Sequence, residues 1–480
     1  MKRVIGTTSR TLVKGVTQSY IWPMSLLSSL RPGGRHGLSS REVRDPIGLA
    51  VAAVNRLAQS DLIDRVGLRR QSEQVVYSTT RNGFRVATAA GRTFARVGRR
   101  TAGARPARSE SRGVFDLNPT EDEAMLVAVV DELAAERLRP AAAAADEACA
   151  APDEVLAAVQ ELGLPVLGVP ESLGGIMEER SATAGALVAE ALAKGDMGLA
   201  VAALAPGAVA TALGLWGTEE QQQTFLPAFT GSQGDPGVPA AALTIAEPTV
   251  LFDPFELATT ARRDGDGFVL DGVKSAVVRG ADAELFVVAA QLDGTPALFL
   301  VESGAVGLEV EADPSMGLRA ASLSRLHLTG VRVGMDALLG DADGKAYREC
   351  VRLSRLAWCA LAVGTGQAVL DYVKDYVNER QAFGEPISHR QSVAFMVADI
   401  AIELQAMRLL TWKAASRATR GQDFAREVGL ARQLCAEKGM RIGLDGVQLL
   451  GGHGFVKEHP VERWYRDLRA VGIMEGVVMI

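Results

Sequence analysis

The carboxylate best placed for acid–base work is Glu475, which stands among Ile473, Met474, Val477 and Val478. Apolar surroundings disfavour the charged form, so the pattern predicts a raised proton affinity, as a base for a weakly acidic C–H bond requires. Gly476 follows it and lets backbone come close to a ligand. Taken alone, Glu475 reads more simply as a carboxylate at a helix end. The run Gln448-Leu-Leu-Gly-Gly-His-Gly-Phe455 offers a second kind of chemistry. Glycines there remove the Cβ, so the backbone can touch a bound group. Arg380 carries a planar fork suited to pyrophosphate. Arg355 reads either as a site residue or as a charge on a solvated helix. Cys149, Cys350, Cys359 and Cys435 are scattered, with no CxxC spacing. They are expected to be buried thiols in a reducing compartment. His453 reads as a turn substituent, and no metal site is expected.

Three kinds of segment must position these residues. From 113 to 235 the pattern is helical, with signals over 121–148, 152–162, 180–194 and 198–213. Asn118 or Thr120 can cap the first helix, ahead of acids in its first turn. From 236 to 340, short strand-like runs (268–270, 276–278, 285–290, 297–301, 308–310, 326–333) alternate with turn signals at Asp264-Gly-Asp-Gly, Asp271-Gly and Asp293-Gly. These imply a small antiparallel β domain. From 341 to 480, long apolar periodicities over 346–379, 386–419 and 424–450, plus a terminal piece, imply a four-helix bundle. The fold class is therefore α+β.

The 480 residues hold 51 Lys/Arg and 57 Asp/Glu, a net charge of -6. That balance hides an asymmetry. Residues 1–112 carry 21 basic and 6 acidic residues (+15), leaving 30 and 51 (-21) for residues 113–480. An acidic body argues against nucleic acid as a partner. Residues 1–112 read as a basic, partly helical extension ending in a linker over 98–112, able to sit on an anionic membrane surface or to remain solvated. No run approaches the ~20 apolar residues of a membrane span. The acid-free first forty residues are compatible with an organelle transit peptide, hence the mitochondrial matrix. The Arg- and Ala-rich composition points instead to a bacterial cytoplasm, which is preferred.

The glycine run is followed by Arg466-Asp467 and Met474-Glu-Gly476, and preceded by Glu379-Arg-Gln-Ala-Phe-Gly384 with Gln391. Earlier come Gly217-Thr-Glu-Glu-Gln with Leu226-Pro227, Pro170-Glu-Ser-Leu-Gly-Gly175, and Met316-Gly-Leu-Arg319 with Ser322. In this order, over about 360 residues, the set resembles the acyl-CoA dehydrogenases. The resemblance implies their fold, FAD as cofactor, an acyl-CoA substrate and an electron-transfer flavoprotein as electron acceptor. It also implies a homodimer or homotetramer, or a hetero-oligomer with a homologue, because each site draws on two chains. By position it implies Glu475 as the catalytic base. Arg380, Phe383, Gln391, Gln448, Gly451, Gly452, Thr244, Ala246 and Val278 would face the cofactor, and Phe252, Arg355 and Gly476 the substrate. A second family position for the base is occupied by Ser354, which is no carboxylate.

The chain departs from the family in the β domain. Ala246 replaces a threonine, Leu251-Phe252 a Gly-Ser pair, Ala276 an aromatic, Val278 a hydroxyl residue, and Val477 another threonine. Each change removes a hydrogen bond worth ~0.5–1.5 kcal/mol or a stacking contact of similar size. Phe252 could also obstruct the acyl channel. Two readings follow: an active FAD-dependent dehydrogenase, or a weakened or non-catalytic subunit paired with an active homologue.

Overall fold

The computed structural model describes residues 119–230 and 238–480. Expectations for residues 1–112, and for Asn118 as a cap, lie outside the described residues. The first helix, α1 (Glu121–Leu133), is capped by Thr120. Its hydroxyl accepts from the Glu123 amide at 3.2 Å, while the Glu123 carboxylate accepts from the Thr120 amide at 2.9 Å. A π turn over Ala134–Leu138 leads into α2 (Arg139–Ala148), followed by α3 (Asp153–Glu161) and α4 (Ala182–Gly195). The Asp196 side chain caps α5 (Met197–Trp216) by accepting from the Leu199 amide at 3.0 Å. α6 (Glu219–Thr230) was not foreseen, because the Gly217 signal reads as a stop. α5 is a twenty-residue apolar helix and passes a length and composition test for a membrane span, as does α7 (Lys345–Glu379). This corrects the expectation that no segment comes close. Both helices are largely enclosed by protein, so their apolarity serves the core.

The β domain comprises β1 (Ala241–Thr244), β2 (Thr260–Asp264), β3 (Gly267–Val278), β4 (Leu285–Leu292), β5 (Thr295–Glu302), β6 (Leu308–Ala312), β7 (Leu323–Gly334) and β8 (Leu338–Leu339). The sheet runs β6-β7-β3-β2-β4-β5-β8, with β1 alongside β4. It is mostly antiparallel, as expected, but β1–β4 and β2–β4 pair in parallel. Two strand signals, 268–270 and 276–278, belong to one strand. The Asp271-Gly272 step between them is a bulge, where β3 slips against β7 after Leu270, and not a turn. Asp264–Gly267 and Asp293-Gly294 do close hairpins.

Three long helices, α7, α8 (Gln391–Thr419) and α9 (Ala425–Leu450), pack together, and α4 closes the bundle against α7 and α8. The fourth long partner thus comes from the first helical segment. α10 (Val461–Leu468) lies on α9 and is followed by a 3-10 turn over Arg469–Gly472. The Arg466-Asp467 pair clasps three parts of the molecule. Arg466 makes two 2.9 Å bonds to the Asp146 carboxylate of α2. Asp467 accepts from the Leu318 amide at 2.6 Å, beside the β domain's 313–318 loop.

Asp467 is buried, and burial, then nearby Asp196, pushes its pKa up to about 8. The unfolded chain releases that proton near pH ~4. The carboxyl's stabilising contribution is therefore complete below ~4 and disappears as pH rises through about 8. Asp467→Asn keeps an acceptor for Leu318 and removes the titration. Between about pH 5 and 8, the wild type should lose up to about 1.4 kcal/mol of stability per pH unit relative to this variant. Urea titrations across that range would test it, and parallel stability profiles would contradict it.

Candidate active site

After the 3-10 turn the chain runs over Ile473–Ile480 along the free edge of β1. Gly476 bridges Thr244, and the Val477 amide donates to Leu243 O at 3.2 Å. Gly476 has φ +76°, and a Cβ there would meet Ile245 Cγ1 at 3.0 Å, so the turn requires glycine. Val477 adopts the same φ despite its branched side chain, a strained conformation held by the pairing with β1. The Gly476 carbonyl is held from α7 by Ser354 Oγ at 2.6 Å and Trp358 Nε1 at 3.0 Å. Ser354, which is no carboxylate, thus orients the turn that carries Glu475.

Glu475 is only 6% exposed. Arg355, one helical position from Ser354, grips both carboxylate oxygens. Its Nε lies 3.0 Å from Oε1 and 2.9 Å from Oε2, and Nη2 lies 2.7 Å from Oε1. Burial works against the Arg355 charge, but the hydrogen bonds and charge of Glu475 more than offset it and raise its pKa. Phe255 covers the guanidinium, with its ring centre 5.9 Å away. Tyr347 packs edge-on against Phe255 and donates its hydroxyl to Pro254 O, fixing the loop above the ion pair. Burial drives the Tyr347 phenol well above its usual range, so it stays a neutral donor. From α9, Arg432 donates to Met474 O at 2.7 Å and approaches Glu475 Oε1 at 3.5 Å.

A second buried ion pair lies behind this turn. Lys274 Nζ, on β3, is 2.8 Å from Glu247 Oε1 and 3.2 Å from Ile245 O. The other contacts of Glu247 are the amides of Ala258 at 2.7 Å and Thr259 at 3.0 Å. Burial pushes Lys274 down to about 8 despite the carboxylate beside it. For Glu247, Lys274 and the amides outweigh burial and hold the carboxyl below its usual range. The pair anchors the backbone on both sides of Ala246, whose carbonyl accepts from Ser275 at 2.9 Å.

The structure brings Glu475, Arg355 and Gly476 together with Thr244, which pairs with Gly476, and places the other expected site residues elsewhere. Arg380, Gln391, Gln448, Gly451 and Gly452 are exposed, and Phe383 is 96% exposed with Arg390 over its ring at 5.5 Å. A Cβ added at Gly451 or Gly452 would meet nothing within 4 Å. Each of these exposed groups, a cationic fork, side-chain amides and glycine backbone, is of a kind that suits the pyrophosphate end of a dinucleotide. The flavin-ring end fits less well. Thr244 and Val278 are almost wholly enclosed, and the Thr244 hydroxyl donates to Val287 O at 3.2 Å. Ala246 and Val477 are also buried. Ala276 remains half-buried at φ +53° beside a hollow of about 200 Å³, shared with the 313–318 loop, Leu323 and Met474. A ring there could be held by backbone and packing, without the hydroxyls of the family pattern. Phe252 is half-buried against the main core, while its neighbours Val250 and Leu251 are exposed.

Arg432, Trp358, Lys274 and the acceptor role of Glu247 escaped the sequence reading. Arg432 had a signal, an arginine on the apolar stripe Val428, Ala431, Cys435 of α9. The others make contacts more than a hundred, or some twenty-five, residues away in sequence, which no local pattern reveals. Cys149 is exposed at the left-handed end of α2, unlike the three buried cysteines and contrary to expectation. His453 is a turn residue, bonded to Tyr376 at 2.9 Å and stacked on His459. Among the described residues no group of three potential ligands could hold a metal ion.

Three family models match in succession: the N-terminal domain of acyl-CoA dehydrogenase over residues 120–232, the middle domain over 242–331 and the C-terminal domain over 344–478. The short-chain specific acyl-CoA dehydrogenase, mitochondrial, of Bos taurus is 32% identical over 365 residues, covering 74% of this chain and 87% of that protein. Butyryl-CoA dehydrogenase from Megasphaera elsdenii superposes with a TM-score of 0.68 at 26% identity, over 75% of this chain and 96% of that one. A glutaryl-CoA dehydrogenase from Mycobacterium smegmatis in complex with FADH2 gives a TM-score of 0.68 at 25% identity, over 75% and 92%. With the three domain types matched in order and a relative 32% identical over most of its length, the chain belongs to the acyl-CoA dehydrogenase family of flavoprotein oxidoreductases.

Proposed function

We propose that this chain catalyses α,β-dehydrogenation of an acyl-CoA thioester, with Glu475 removing the α-proton. The observation that carries this reading is the buried Glu475 carboxylate, held by the Arg355 fork on a turn pinned through Gly476. A base acts efficiently when its orientation is set before substrate arrives. Ser354, Trp358 and Arg355 supply that setting from one helix. FAD, when bound, would supply hydride-accepting chemistry for the Cβ hydrogen, and Glu475 would take the Cα proton on a carboxylate oxygen. Arg380, Phe383, Gln391, Gln448 and the Gly451-Gly452 backbone would hold the nucleotide end, in the family manner for a neighbouring subunit. Thr244, Ala246 and Val278 would line the ring end through their backbone. Phe252, Arg355 and Gly476 would face the acyl thioester, with Phe252 narrowing the channel. Electrons would pass to an electron-transfer flavoprotein. A homodimer or homotetramer in a bacterial cytoplasm completes the proposal, with the mitochondrial matrix as the alternative location and residues 1–112 available to a membrane surface.

The enclosed Thr244 and Val278 favour a second reading, a weakened subunit that lends its nucleotide-end surface to an active homologue. The visible spectrum of the purified chain separates the two. The first reading expects a stoichiometric flavin band that bleaches on adding an acyl-CoA. A colourless chain that binds a coloured homologue would overturn it in favour of the second.

A further inference from the structure

Arg355 is the arginine the family pattern brings to Glu475, but the turn is held by a second one. Arg432 lies on α9, and only 9% of it is exposed. Burial lowers its pKa from the ordinary arginine value, with Glu475 opposing that fall. Around it stand the Cys359 and Cys435 thiols and a second cation, Arg355, whose like charge adds to the fall. Both hydrogen bonds it makes go to consecutive residues of one turn, Met474 O at 2.7 Å and Glu475 Oε1 at 3.5 Å. Its Nη1 is buried with no partner. An enclosed guanidinium with an unused donor is a costly way to knit helices together, since an unmet buried donor is destabilising and an apolar side chain would fill the space more cheaply. What Arg432 does that an apolar residue cannot is fix the carbonyl just before the base and set one carboxylate oxygen from below.

We propose that Arg432 is a positioning residue for Glu475, gripping the Met474 carbonyl and reaching Oε1, the oxygen that Arg355 Nη2 also holds, so that the carboxylate keeps a single orientation on its turn. Arg355 approaches from α7 and Arg432 from α9, so the carboxylate is held between two helices of the bundle and moves with neither alone. This rests on the proposed role of Glu475 as base, but the arrangement can be tested without catalysis. A misplacement of a reacting group by about 1 Å can cost about 10²-fold in rate.

The test uses the full chain and three variants, Arg432→Met, Arg432→Lys and Glu475→Gln, plus the two double variants that combine Glu475→Gln with each Arg432 substitution. In single-turnover bleaching with butyryl-CoA, Arg432→Met should slow the rate constant by about 10²-fold with flavin content and half-saturating concentration little changed. Arg432→Lys, which keeps the charge and a single donor nitrogen, should recover part of that loss. In urea melts of the same proteins, the destabilisation by Arg432→Met should shrink in the Glu475→Gln background, because the two groups interact. Additive melting effects would overturn the proposal, as would a bleaching rate equal to wild type in Arg432→Met. If Arg432→Met does not fold, a wild-type rate in Arg432→Lys with its melt also additive to Glu475→Gln overturns it equally. If the wild type itself never bleaches, the dehydrogenase reading fails, and the melting cycle alone decides the role of Arg432.

Discussion

Glu475→Gln should leave the fold and any bound flavin in place while bleaching by acyl-CoA falls by about 10²–10⁴-fold, the usual contribution of a positioned general base. Glutamine has the same shape and keeps an acceptor for Arg355, so the turn pinned through Gly476 by Ser354 and Trp358 survives. What it lacks is an anionic oxygen to receive the Cα proton. The measurement is stopped-flow absorbance at the flavin band, accompanied by a thermal melt to confirm folding. Undiminished bleaching in a folded variant would remove Glu475 as the base. No other carboxylate stands ready to replace it from the second family position, because that position is Ser354, already bonded to the turn at 2.6 Å.

The second large effect concerns stability. Glu247→Ala should destabilise the protein by about 3–5 kcal/mol, the cost of stranding one member of a buried ion pair. Lys274 would remain enclosed with only Ile245 O as partner, and the Ala258 and Thr259 amides would lose their acceptor. Replacing both charges by methionine should recover most of the loss, because a well-packed apolar pair is often as stable as the ion pair it replaces. Chemical denaturation of the two variants against wild type measures this. A loss under about 1 kcal/mol in Glu247→Ala would show that the pair bears little of the load assigned to it. Because the pair flanks Ala246, the single variant should also loosen the β1 edge on which Gly476 rests.

Much of the architecture was legible in the chain. Helical periodicity located α1 to α5 and the three long C-terminal helices, because burying one face imposes a 3.6-residue repeat whatever the partner. The β signals found β4, β5 and β7, whose alternating or continuous apolar runs fill the sheet's faces, and the largely exposed edge strand β6. They missed β1, which reads as a plain apolar run, and β2, whose Arg262-Arg263 resembles a loop. Asp271-Gly272 misled because glycine marks a bulge as readily as a turn.

At the site, residue types and order by themselves determined the family, the turn carrying Glu475 and the presence of Arg355 beside a non-carboxylate Ser354, and they set Ala246, Ala276, Val278 and Val477 where the resemblance leads one to expect hydroxyl or aromatic side chains. These are properties of single positions within ordered motifs, and a linear chain displays them directly. Only the tertiary structure decided that both oxygens of Glu475 are gripped by Arg355, that Arg432 reaches the same turn from another helix, that Lys274 and Glu247 neutralise each other behind it, and that Thr244 and Val278 have almost no free surface. Those facts depend on side chains tens to hundreds of residues apart meeting at hydrogen-bond distance, and such meetings are set by how helices and sheet pack, a relation that no local periodicity records.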